Sequence, residues 1–131
     1  MKKFLIAFCA ALLLPAAAVL STAAWADVSA EIATASQHAG LAAKAPGIDM
    51  VHTHLHHTVN CLVGPGGAGF DATNANPCAK AGNGAIPDAS DAQKAKLQTA
   101  LASANAGLAS TDVAAAQKDA TDAAAAIDSA K

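Results

Sequence analysis

The amino-acid sequence predicts an all-α protein, a small antiparallel four-helix bundle with a long disulfide-closed loop between its second and third helices. Three observations support this fold class. Apolar residues recur at helical spacing in four segments, no stretch of useful length alternates as a β-strand does, and two cysteines enclose much of the segment rich in Gly, Asn and Pro. We therefore expect one helical domain over residues 27–131, preceded by a signal peptide over residues 1–26.

The first 26 residues have the layout of a secretory signal peptide. Lys2 and Lys3 precede an apolar run over residues 4–14, and Ala24-Trp25-Ala26 is the small-x-small pattern that signal peptidase cleaves. The apolar run is too short and too interrupted to anchor the chain stably in a bilayer. We expect a periplasmic or secreted protein that begins at Asp27 and has no membrane attachment after cleavage.

The first predicted helix covers residues 28–45 and the second covers residues 47–63. Asp27 or Ser29 can cap the first helix, and Glu31 lies in its first turn, where the helix dipole favours an anion. Pro46-Gly47 ends it. The second helix has the most strongly apolar face of the chain, an arc of roughly 80° that holds Ile48, Val51, Leu55, Val59 and Leu62.

Residues 64–88 form the predicted loop, which begins with Gly64-Pro65-Gly66-Gly67. A loop of this length is unusual in a compact domain unless it is functional or tied down. In an oxidising compartment, we expect Cys61 and Cys78 to form a disulfide that contributes roughly 3 kcal/mol through loop closure. Free thiols that act as metal ligands are the alternative.

The third and fourth predicted helices cover residues 89–107 and 112–130 and form an antiparallel hairpin. Their inward faces are mostly alanine, which accounts for 39 residues of the whole chain. Alanine lets helices approach closely but buries little surface, so we expect this half of the chain to be the less stable one. Partial disorder of this half in isolation is the alternative.

Charge and aromatic content exclude several classes of partner. After removal of the signal the chain has no Arg, six Lys and ten acidic residues, a net charge of −4 with His neutral. No basic patch remains to neutralise phosphates, which argues against nucleic-acid binding. Phe70 is the only aromatic residue of the mature chain, which argues against recognition of bases or sugars by stacking.

The histidines are concentrated on the second predicted helix. Four of the five occur within six positions, and helical projection places them on the two flanks of the apolar arc. Asp49, His52 and His56 share one flank, and Met50, His54, His57 and Cys61 share the other. Each flank therefore brings two imidazoles one helical turn apart, which is the geometry by which a single helix chelates a divalent metal.

This pattern predicts a transition-metal site. Neutral imidazole is a common ligand for copper, zinc and nickel. His38 is the expected ligand from the first helix, because its distance from the Pro46-Gly47 turn matches that of the histidine cluster. The predicted ligands are His38, His52, His54, His56 and His57, with Asp49 and Met50 as additional candidates.

Other site chemistries remain open at this point. The histidines could instead form a polar face with pH-sensitive charge, or ligate haem without a covalent bond. Covalent attachment is excluded because Cys-x-x-Cys-His is absent from the sequence. Haem is the weaker choice because the helix faces are poor in large side chains. We do not expect an enzyme, since the sequence has no nucleophile elbow, phosphate-binding loop or metalloprotease motif.

The histidine-bearing, alanine-rich helical plan resembles small exported His-rich metal-binding helical proteins of bacteria. The block VHTHLHHTVNCLVGPGGAGFDATNANPC is similar to one in uncharacterised exported bacterial proteins. That resemblance implies export and a Cys-closed loop, and it brings no known activity. The expected partners are a metal ion and either a second copy of the chain or an unidentified periplasmic protein. A partner protein that docks on the long loop is the competing hypothesis.

Overall fold

The computed structural model describes residues 26–131, and this part of the chain is all-helical, without a β-strand. The helices are α1 (Val28–Ala42), α2 (Ile48–Val63), α3 (Ala85–Asp88), α4 (Asp91–Ala109) and α5 (Val113–Asp128). The predicted signal peptide, apart from Ala26, lies outside the described residues. No helix within residues 26–131 is long and apolar enough to cross a bilayer.

The four long helices lie close to their predicted positions, and the differences have local causes. α1 ends at Ala42 instead of residue 45, because Pro46 disfavours a helical conformation in the preceding residue. The predicted loop over residues 64–88 contains α3, whose Pro87 lies in the first turn, where no N–H is required. α4 begins only at Asp91, since Ala89 is extended and Ser90 N–H donates to Gln93 Oε1 at 3.1 Å in a capping box.

The four long helices pack around one core. α1 contacts α2 and α5, α4 contacts the same two helices, and α2 and α5 also contact each other. α2 contributes the largest set of bulky side chains to this core, while α1 and α5 contribute mostly alanine. The fully buried aliphatic side chains of three or four carbons are Ile32, Val51, Leu55, Val59, Leu62, Leu97 and Ile127. The helix that carries four of the histidines is therefore also the one most firmly anchored by apolar burial.

The long loop is fixed to the end of α2. The predicted disulfide between Cys61 and Cys78 is confirmed. Next to it, buried Asn60 donates through Nδ2 to the carbonyl oxygens of Asp71, Asn74 and Ala75, and its Oδ1 accepts the Asp71 N–H at 2.8 Å. These contacts satisfy a buried amide and tie the loop to α2 at a second point.

The loop also crosses the helix end closely at Gly64. This residue has φ +67°, and a Cβ atom there would lie 1.6 Å from the Asn83 carbonyl oxygen. Only glycine fits both the left-handed backbone and this close approach. The crossing places residues 82–84 against the first turn of α1, where Gly84 N–H donates to Glu31.

Candidate metal centre

Three of the five histidines meet at the contact between α1 and α2. His38 comes from α1, and His54 and His57 come from α2 at i, i+3 spacing, which places them on one helical face. Their ligand nitrogens all lie within 4.8 Å of one another, and the Nδ1 atoms of His38 and His54 are 3.3 Å apart. The sequence pattern predicts that His54 and His57 share one flank of α2 and that His38 of α1 lies level with the histidine cluster.

The three rings form a compact, partly buried group. His57 makes edge-on contacts with both other rings, with centroid distances of 5.0 Å to His38 and 5.8 Å to His54. The Nδ1 atom of His57 is buried and has no hydrogen-bond partner among the described residues. A buried polar nitrogen without a partner is costly, so this atom lacks either a hydrogen-bond partner or, if Nδ1 is the unprotonated nitrogen, a metal ion.

The surroundings favour neutral imidazole rings. Burial lowers the pKa of His38, and the neighbouring rings of His57 and His54 lower it further. Burial also lowers the pKa of His57, with smaller contributions from His54 and His56. Since a protonated ring offers no lone pair at the nitrogen that must ligate, a lowered pKa extends metal-binding competence to lower pH.

The nitrogen spacing suits a small metal ion. Two imidazole nitrogens on a tetrahedral zinc at about 2.0–2.1 Å are roughly 3.3–3.4 Å apart. The Nδ1 atoms of His38 and His54 have this separation, which is also the length of a hydrogen bond between the two rings. Three histidine ligands leave one tetrahedral position for water or a further donor.

His52 lies outside this group. Its Nε2 is 2.9 Å from the carbonyl oxygen of Ser110, in the connection between α4 and α5. Because a carbonyl only accepts, Nε2 carries the proton and donates. His52 thereby joins α2 to the turn between α4 and α5.

His56 is directed to the long loop. Its Nδ1 is 3.3 Å from the Asp71 carboxylate. Hydrogen bonds from the Thr73 hydroxyl and backbone, and then from Asn74, lower the pKa of Asp71 to about 2, with a smaller contribution from His56. Asp71 is therefore an anion at neutral pH, and His56 helps to hold the loop on α2.

The two additional candidates, Asp49 and Met50, are in the first turn of α2, and Cys61 is in its last turn. Asp49 is exposed and is not part of the three-histidine group. Met50 is half exposed and precedes His54 by one helical turn. Cys61 is in the disulfide and offers no thiolate. Among the predicted residues, the structure thus brings together only His38, His54 and His57.

The burial of Glu31 is not among the features predicted from the sequence. This residue is fully buried, although its position in the first turn of α1 predicts only a favourable dipole interaction. The helical spacing held a signal, because Glu31 is three residues after Val28 and four before Ala35, both on the inward face. The loop contacts of His56 and Asn60 had no such signal, since they depend on where the loop folds.

Comparisons with protein-family models, with curated proteins and with solved structures find no match to this chain.

Proposed function

We propose that this chain is an exported protein that binds a transition metal through His38, His54 and His57, and that scavenges, buffers or delivers the ion in the periplasm. The three-histidine group is the observation that carries the proposal: ligand nitrogens from two helices lie within 4.8 Å of one another. The proposal narrows the predicted ligand set, since His52 and His56 have other contacts in the metal-free chain.

The donor chemistry supports copper, zinc or nickel. Imidazole nitrogen suits all three ions, whereas magnesium and calcium prefer oxygen ligands. Met50 could add a soft sulfur ligand for Cu(I) by a rotamer change, since it lies one turn from His54 on an exposed surface. Hydrolytic metal centres combine an open coordination position with an adjacent acid or base. Asp49, the predicted acidic ligand, is not part of the three-histidine group, so we assign the site to binding.

The export and fold proposals rest on separate features. The Cys61–Cys78 disulfide suits an oxidising compartment. The neighbour relations of the four long helices suit an antiparallel bundle, in which ligands from facing helices build a site in or beside the core.

Calorimetric titration with Cu(II), Zn(II) and Ni(II) tests the proposal with a matched pair of variants. His54→Ala plus His57→Ala removes two proposed ligands. His52→Ala plus His56→Ala removes two histidines of the same helix outside the group, so the two variants have identical composition. We expect the first to lose at least tenfold in affinity, with one metal per chain in the wild type, and the second to stay within threefold of the wild type.

Two outcomes would overturn the proposal. Equal losses in both variants would show that the histidines bind metal as an unstructured cluster. No affinity beyond that of a scrambled His-containing helix would assign the three rings to helix packing alone. An absorption spectrum of the protein from its native host adds a cheap control, since a Soret band would indicate haem.

A further inference from the structure

A second feature, remote in sequence from the histidines, is the buried carboxyl group of Glu31. Its side chain is fully buried in the first turn of α1. Oε1 accepts the Gly84 N–H at 2.8 Å, but Oε2 has no hydrogen-bond partner among the described residues. A buried carboxylate with one unpaired oxygen requires a counter-charge or a proton.

The charged groups around Glu31 are acidic. Burial raises the pKa of Glu31, and the nearby carboxylates of Asp88 and Asp27 raise it further, while the Gly84 hydrogen bond opposes them. Asp88 is itself held in place, since its Oδ2 accepts the Asn83 N–H at 2.7 Å. We call Asp27, Glu31 and Asp88, together with residues 82–84, the acidic pocket.

The chain enters α1 directly beside this pocket. A Cβ atom on Gly82 would lie within 3.0 Å of three atoms: Asp88 Oδ2, Glu31 Oε1 and the Cβ of Ala26. Ala26 therefore occupies the same small space as the two carboxyl groups. The backbone N–H of the next residue, Asp27, is fixed at the rim by a 2.7 Å hydrogen bond to the Ala81 carbonyl oxygen.

The predicted signal-peptidase site is the Ala26–Asp27 bond, independently of this geometry. Hydrolysis adds water across that amide, leaves the carboxylate on Ala26 and frees the Asp27 amine, which takes up a proton at neutral pH. Cleavage thus creates a cation at the edge of the acidic pocket and removes the side chain that stood there.

We propose that the new α-ammonium group of Asp27 is the counter-ion of the acidic pocket, and that it pairs with the unpartnered oxygen of Glu31. The ammonium has three donors, of which one can keep the Ala81 carbonyl oxygen and two are free for carboxylates. Removal of the leader and final docking of α1 are then coupled, because in the uncleaved chain the buried carboxyl group either stays unpaired or must take up a proton.

A divalent cation is the other possible occupant. Within residues 26–131, the only group of three or more ligand atoms from His, Cys, Asp or Glu that lie close enough to share an ion is the histidine group. The three carboxylates do not converge in this way. The geometry thus favours a compact cation with hydrogen-bond donors over a coordinated metal.

Four protein variants test this inference. A chelator is present throughout, so that metal binding at the histidines does not affect the result. One begins at Asp27 after cleavage of a removable fusion, and its match keeps Ala26 behind a Gly-Ser extension. Each is made with Glu31 and with Glu31→Gln. At pH 6.5, we expect the extension to lower the thermal midpoint of the Glu31 chain by about 5 °C or more, as a lost partly buried ion pair does in a domain of this size, and to lower that of the Gln chain far less.

The α-amino group gives a second readout. Pairing raises its pKa above the ordinary range of about 7.7–8.0, which NMR titration of an Asp27-labelled chain measures. A raised pKa of a cationic group stabilises the fold at pH below the unfolded value, and this stabilisation is lost as pH rises through the folded value. The difference between the two Glu31 chains should therefore shrink above about pH 8.

Three results would overturn the inference: equal midpoints for cleaved and extended chains, an equal effect of the extension with Glu31→Gln, or an ordinary α-amino pKa. A separate experiment adds Ca²⁺ or Mg²⁺ in chelator-free buffer. If the ion stabilises both Glu31 chains but neither Gln chain, the acidic pocket binds a metal instead.

Discussion

Helices α2 and α5 bury different kinds of side chain. α2 contributes Val51, Leu55 and Leu62 to the core, whereas α5 contributes mostly alanine and one large side chain, Ile127. The α4–α5 pair compensates by close approach: a Cβ atom on Gly107 of α4 would lie 3.3 Å from the Ala116 carbonyl oxygen of α5. Large buried apolar side chains are therefore concentrated on the helix that carries most of the proposed ligands.

Truncating one of the largest fully buried side chains should have the largest effect. Leu55 is fully buried and its Cδ1 faces Gly107. We expect Leu55→Ala to lower the free energy of unfolding by about 3.5 kcal/mol, through lost burial and the cavity left behind. Urea unfolding measures this loss. The matched control is Leu41→Ala, because Leu41 is 42% exposed. We expect this control to lower the free energy of unfolding by about 0.5 kcal/mol or less. Similar losses for both variants would contradict the assigned core.

Removing the disulfide should lower the free energy of unfolding by an amount comparable to that of Leu55→Ala. Cys61→Ala plus Cys78→Ala frees a closed loop with a sequence separation of 17 residues. On the chain-entropy model we expect a loss of roughly 3 kcal/mol in the free energy of unfolding. Hydrogen exchange should locate the change in residues 64–84 and the last turn of α2. Uniformly faster exchange in α4 and α5 instead would show that the loop supports the whole fold.

Enlarging a buried alanine of α5 tests how tightly the α4–α5 half of the protein is packed. Ala120 is fully buried, so Ala120→Leu forces the helices apart, and we expect a loss of about 2 kcal/mol in the free energy of unfolding. The matched control is Ala125→Leu on the exposed side of the same helix, with a change near zero. Tolerance of Leu at residue 120 would mean that the alanine contacts are loosely packed.

Acidification should have the smallest effect. His38 and His57 make the fold less stable as pH falls, whereas the raised pKa of Glu31 acts in the opposite direction. Burial lowers the pKa of His38 and of His57, so below about pH 6.5 the unfolded chain binds more protons at these two residues than the folded chain. Their contribution to the stability of metal-free protein should therefore fall as pH decreases from 7.5 to 5.5. Thermal unfolding of His38→Gln plus His57→Gln should show a shallower dependence. An identical pH profile would contradict the neutral, buried state of these rings.

Most of the fold could be predicted from sequence, because helix periodicity and glycine or proline breaks are local signals. The same periodicity placed His54 and His57 on one flank of α2, and equal distance from the turn placed His38 level with the histidine cluster. Periodicity also grouped His52 with His56 on the other flank, and they point to different partners.

The remaining contacts depend on long-range packing that no local pattern records. His52 meets Ser110, which is 58 residues away, only because α2 packs against α4 and α5. Glu31 is buried because residues 82–84 return to the start of α1, 53 residues later in the chain at Gly84. Helical spacing could indicate that Glu31 faces inward, but not what covers it.

The most direct test of the proposed metal centre is long-range ¹H–¹⁵N NMR of the five imidazole rings during titration with Zn²⁺. We expect the ring nitrogens of His38, His54 and His57 to shift together and saturate at one equivalent, while His52 keeps its proton on Nε2 and His56 stays near its metal-free position. Shifts led by His52 and His56, or unchanged spectra at one equivalent, would contradict the proposed ligand set of His38, His54 and His57.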